Sequence, residues 1–258
     1  MRENTVKLIV NADDFGISRE NTDATVALME RGRITSATIL ANGAAFDAAV
    51  AASRSFPGCS FGVHLNLTEG PPLTNSPELT PLLDEEGKFT PSVFDTRIGR
   101  QLRVGVEREW IRQVERVKSA GVKVSHLDSH QHVHTIPGLF LAFKAVQKRT
   151  GIRKARITKT LYDGISPPPS SALMMKKRIW TFALRNYFRT ITTDGFSDFA
   201  SFYRLAQDGF LGLRSLEVMV HPGADNELGF QDEIEILDTP WEERLAFPVR
   251  LLSYHDLV

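Results

Sequence analysis

Two adjacent carboxylates, Asp13 and Asp14, stand directly behind the apolar run VKLIVN at 6–11. Neighbouring carboxylates at the end of a buried strand raise each other's pKa and lose hydration, so a cation or a set of donors must compensate them. One of them could instead cap the helix that follows, but Ser18 is better placed for that, and a metal ion meets the requirement. Histidines supply the rest of such a site. His64 lies in GVHLNLTEG (62–70), and SHLDSHQHVH (125–134) holds His126, His130, His132 and His134, four of the chain's seven histidines. In extended chain His130, His132 and His134 point to one side and cannot all reach one ion, so one or two of them stand behind the ligands. Two imidazoles and a carboxylate leave positions open on a divalent ion, the arrangement of a catalytic rather than a closed structural site. Asp128 could accept a ring N–H from a ligand histidine and fix its tautomer. His221, in EVMVHPG (217–223), is held by a strand end and a Pro-Gly turn, while His255 is given no role.

The elements that must position these groups alternate. Strands are expected at 6–11, 34–42, 59–67, 122–128, 155–158 and 216–221, with helices at about 19–31, 44–56, 106–119, 137–149, 174–190, 199–207 and 240–252. Asp13 and Asp14, His64, Asp128 with His130, and His221 thus arrive at the C-terminal ends of four strands, the end where parallel α/β folds carry their sites. Alternation implies a parallel sheet covered by helices, either a closed barrel or an open doubly wound sheet. The stretch 161–195 breaks the rhythm: SPPPSS (166–171) stops regular structure before a basic, aromatic helix, read as an insertion, a lid over the site or a helix docked on a neighbouring subunit. The chain is otherwise read as one domain over residues 1–258.

Composition narrows the function. Lys plus Arg equals Asp plus Glu, 31 against 31, so no global field gathers nucleic acid. Cys59 is the only cysteine, which excludes an intrachain disulfide and a multi-thiolate zinc site. No run is long enough to span a bilayer, and the N-terminal apolar run is too short for a secretory segment. A cytoplasmic protein acting on a small, uncharged substrate is the expectation.

The motifs NADDFG (11–16), GVHLNLTEG (62–70), HLDSHQHVH (126–134) and EVMVHPG (217–223) resemble, in order and over nearly the whole chain, the YdjC-like carbohydrate deacetylase family. The resemblance implies a (β/α) barrel, irregular or incomplete, with parallel strands. It further implies one divalent ion, magnesium or zinc, and removal of acetyl from N-acetylglucosamine-containing oligosaccharides or glycoconjugates. Carried over position by position, Asp14, His64 and His130 are the metal ligands and Asp13 the catalytic base. His221, as imidazolium, is the candidate acid, Arg156 orients Asp13 or contacts substrate, and Glu69, Trp180, Tyr187 and Phe188 are candidates to line a sugar cleft. Gln131 departs from the pattern of relatives with a further histidine there, which touches the surroundings of the ligands and not the ligand set. The expected partner is a small-molecule or oligosaccharide substrate, with no nucleic acid, no membrane span and a homodimer left open. The rival readings are a metal-dependent hydrolase of another amide or of an ester on the same barrel, and a non-catalytic sugar-binding protein.

Overall fold

β-branched and apolar residues at the N-terminus form β1, Val6–Phe15, which runs on past Asn11 through both aspartates. The computed structural model describes residues 5–163, 169–209, 212–223 and 231–258. Around β1 the parallel strands follow the order β5-β4-β3-β2-β1-β7-β6, where β2 is Ser36–Ile39, β3 Ser60–Leu65, β4 Val124–Ser129, β5 Lys154–Ala155, β6 Gly195–Asp198 and β7 Ser215–Val220. One edge of β1 takes β7 from Lys7 to Ala12. The other edge is shared, with β8 (Val249–Leu251) pairing Val6–Leu8 and β2 taking over from Asn11. Between the outermost strands the ring closes only in part: the Thr160 N–H donates to the Phe196 carbonyl at 2.8 Å, with no regular ladder there. The fold is an incomplete (β/α) barrel.

Helices cover the sheet: α1 (Arg19–Glu30), α2 (Phe46–Ser53), α3 (Arg100–Ser119), α4 (Phe140–Thr150), α5 (Ser171–Asn186), α6 (Phe199–Asp208) and α7 (Gln231–Leu237). Ser18 caps α1, its hydroxyl accepting from the Asn21 N–H, which leaves both aspartates free of that duty. α3 buries Leu102, Val106, Trp110, Val114 and Val117, a stripe at helical spacing that packs on α4 and the sheet. Burial on the strands is near-continuous, as expected where both faces of a parallel sheet are covered.

Three expectations need correction. The helix at 240–252 is absent: a short 3-10 turn at Trp241–Arg244 is followed by β8, because Pro248 lacks the N–H a helix needs and its carbonyl accepts instead from Val6. Gly195–Asp198 forms a strand that its GFSD sequence, with one apolar side chain, does not advertise. His130–Thr135 is not extended but a 3-10 turn, kinked by left-handed Gln131 (φ 48°) and His132 (φ 57°). Of the SPPPSS segment, residues 166–168 lie outside the described residues; α5 begins beyond it, capped by Ser170.

Candidate metal centre

The C-terminal end of the sheet assembles the site. Asp14, next to last in β1, has a left-handed conformation (φ 61°), at the point where the β1–β2 register slips between Ala12 and Phe15. The slip lets consecutive residues serve one site, since in regular strand Asp13 and Asp14 would face opposite sides of the sheet. Asp has an unusually low cost in this backbone region.

Asp14 Oδ1 lies 3.0 Å from His64 Nε2 and 2.6 Å from His130 Nδ1. Metal–ligand bonds of about 2.1 Å put adjacent donors roughly 3.0–3.4 Å apart, depending on geometry. The three donor atoms all lie within 4.8 Å of one another, close enough to share one ion. The other ring nitrogen of His64, Nδ1, is 2.7 Å from Asp128 Oδ1. That contact fixes the proton on Nδ1 and leaves the Nε2 lone pair facing Asp14, as a ligand histidine requires. Asp128 is itself held, accepting from the Thr38 hydroxyl at 3.0 Å, which in turn accepts from Asn11.

Behind the triad sits a buried guanidinium. Arg156, just past β5, donates from Nη1 and Nη2 to the two oxygens of Asp13 at 2.5 and 2.6 Å, and from Nε to Glu217 at 2.8 Å. Its Nη2 also lies 3.0 Å from Asp128 Oδ2. Glu217, in the middle of β7, accepts the Tyr254 hydroxyl at 2.5 Å. Burial pushes Asp13 up, but the Arg156 charge and hydrogen bonds outweigh it and hold the carboxyl well below the usual range. For His64, burial acts downward, yet Asp128 and Asp14 raise its pKa well above the ordinary value. The carboxylates on both sides of the ring thus favour positive charge at this position. Burial raises Glu217 to about 7 against the pull of Arg156.

The other predicted residues divide. His221 follows β7 and comes close enough to Asp13 for its charge to lower that carboxyl's pKa. Glu69 reaches to 3.7 Å from His130 Nε2 and lines a cleft of about 400 Å³ with Asn42, Gly43 and Pro71. His132 and Trp180 share a second cleft of about 260 Å³ with Lys177 and Leu173. Tyr187 and Phe188 are not part of either; they line a separate hollow with Leu141, Ala145 and Lys148. The kinked turn turns His134 inward to Ser129, 2.5 Å away, and His132 toward Phe196. His126 stacks on Tyr254 at 3.6 Å, directly over Gly62, where a Cβ would meet the imidazole at 2.6 Å. Arg156 takes the orienting role toward Asp13. Glu217, Tyr254, Thr38 and Asn11 escaped the sequence reading; the signal available was a glutamate inside the apolar strand LEVMV.

Comparison with known proteins relates the chain to one family. The family model described as YdjC-like protein matches residues 7–247. A carbohydrate deacetylase of Oceanobacillus iheyensis is 29% identical over 222 residues, 86% of this chain and 87% of that protein. A chitooligosaccharide deacetylase of Escherichia fergusonii is 34% identical over 218 residues, 83% and 81% of the two chains. Among solved structures, an Enterococcus faecalis V583 protein proposed to cleave cellobiose-phosphate superposes with a TM-score of 0.74, covering 97% of this chain and 98% of its own, at 23% identity. That likeness concerns the fold.

Proposed function

The chain belongs to the YdjC-like family, and on that premise we propose that it is a carbohydrate N-deacetylase, removing acetyl from N-acetylated sugars in the cytoplasm with release of acetate and a free amine. The observation that carries the reading is the pairing of a carboxylate clamped by Arg156, Asp13, with the Asp14–His64–His130 triad beside it. In this reading the triad holds one divalent ion, zinc or magnesium. Bound there, the ion would polarise the acetamide carbonyl and bring the pKa of a water toward neutrality.

The chain's own groups do the rest. Asp13 accepts three hydrogen bonds, two from Arg156 and one from Asn11, so about one of its four acceptor sites remains for the attacking water. It takes the water's proton as the new C–O bond forms. A carboxylate with so depressed a pKa is a weak base and serves only for a water already acidified, which ties its role to the triad. His221, near Asp13 at the same rim, is the acid: it gives a proton to the amide nitrogen as the C–N bond breaks, since an unprotonated amine is a poor leaving group. The two clefts, one walled by Glu69 and one by His132, Lys177 and Trp180, suit a substrate larger than the acetamide alone, such as an oligosaccharide.

The test is acetate release from diacetylchitobiose by the purified protein, after chelation and after restoring single divalent ions. Release abolished by chelator and restored by one ion is the expected result. Release only from O-acetylated sugars transfers the site to ester hydrolysis; sugar binding without release of any acyl group replaces the enzyme by a binding protein.

A further inference from the structure

α5 carries an outward face that no other described element covers. Its buried contacts are Trp180 and Leu184. On the far side Met175, Ile179 and Phe182 are 55%, 60% and 69% exposed. Their i, i+4, i+7 spacing places them within about 60° of one another around the helix, so they make one apolar stripe. The same periodicity puts Arg178 and Arg185 along one flank of the stripe and Lys176 along the other. Between Asp163 and Asp194 the sequence has five cations, Lys176, Lys177, Arg178, Arg185 and Arg189, and no acid. Among the described residues Lys176, Arg178, Arg185 and Arg189 form no salt bridge; Arg185 donates instead to the Thr192 hydroxyl and the Thr193 carbonyl. The neutral total charge of the chain therefore hides a local basic surface.

Two occupants could cover such a face. Symmetric pairing with a second copy sets the patch against itself, so that the flanking cations meet their own kind with no acid on the helix to answer them. An anionic lipid surface matches the pattern: the apolar stripe enters the acyl boundary while the flanking side chains extend to the headgroups. We propose that α5 seats the protein on an anionic lipid surface. The inner side of the same helix contributes Leu173, Lys177 and Trp180 to the cleft that holds His132. Seating thus holds that cleft about one helix diameter, roughly 10 Å, from the acyl boundary.

The test is co-sedimentation of the full chain with vesicles of phosphatidylcholine plus phosphatidylglycerol, against phosphatidylcholine alone, with light scattering to report the oligomeric state. The expected result is binding to the anionic vesicles only, weakened by salt. Ile179→Glu and Met175→Glu each lower it about tenfold, the loss of one buried apolar side chain, and Arg178→Gln lowers it roughly fivefold. Circular dichroism and unchanged acetate release from diacetylchitobiose confirm that the Ile179→Glu protein is folded. Binding is read without substrate, so its outcome stands apart from whether acetate is released. No binding, or equal binding to both vesicle types, overturns the proposal. A dimer that Ile179→Glu dissociates, with no vesicle binding, gives the face to a second copy.

Discussion

Replacing Arg156 by methionine keeps much of the side-chain volume and removes the one charge that Asp13, Asp128 and Glu217 share. All four side chains are buried, so the substitution leaves carboxylates without a partner and without water. Breaking a buried ion pair from one side costs about 3–5 kcal/mol. For a chain of this size each kcal/mol lowers Tm by about 2–4 °C, so the melting point should fall by roughly 6–20 °C at neutral pH. The loss depends on pH in a fixed direction. In the native protein Asp13 has a depressed pKa, so its contribution is fully present above the ordinary carboxylate pKa of 3.8 and is lost only in stronger acid. Without the guanidinium, burial loses its largest opponent and the folded-state pKa values rise. The variant then gains relative stability as pH falls from 7 toward 5, because its folded form takes up protons that the unfolded chain does not. Urea unfolding of both proteins at pH 5 and pH 8 reads this out, alongside acetate release. Loss of the clamp on Asp13 should lower kcat by about a hundredfold or more. A Tm within about 2 °C of the parent, or a destabilisation that grows toward acid, would refute the account of Arg156 as the shared counter-charge.

Asp13→Asn keeps the shape but not the base: kcat should fall about a hundredfold to ten-thousandfold while calorimetric titration shows the divalent ion still binding, and equal activity ends the assignment. Asp128→Asn removes the acceptor that holds His64 Nδ1, so metal affinity measured by competition with a chromophoric chelator should drop about tenfold to a hundredfold. Glu217, raised by burial to about 7, stabilises the fold fully below its unfolded value of 4.5, and that contribution is lost as pH rises through 7. Glu217→Gln should therefore flatten the decline in stability between pH 5 and pH 8 seen by chemical denaturation; an unaltered slope assigns the decline to other groups.

The strand ends were legible because buried parallel strands are written as apolar runs, and a charged residue at the end of such a run stands out. That rule located Asp13, Asp14, His64, Asp128 and His221. It is blind where the run is missing: β6 has only Phe196 to mark it, and β8 sits in a stretch whose Trp241, Leu245 and Leu252 imitate a helix until Pro248 interrupts it. The fates of His132 and His134 depend on left-handed backbone at Gln131 and His132, residues that do not announce it as glycine does. The Tyr254–Glu217–Arg156–Asp13 chain was hidden for another reason. Its members come from four separate segments, which only the finished fold brings together.

The divided edge of β1 bears on how the protein is made. β1 leaves the ribosome before any of its partners, yet Val6 pairs with Val249 and the turn just after β8 delivers Tyr254 to Glu217. A nascent chain holding everything up to β7 would still show β1 with an unpaired segment at its start and Glu217 without its hydroxyl. Contacts between such distant parts of a chain form slowly and leave strand edges exposed meanwhile. Refolding should accordingly end with the docking of the segment from β8 to Tyr254, and the catalytic apparatus should mature only at that last step.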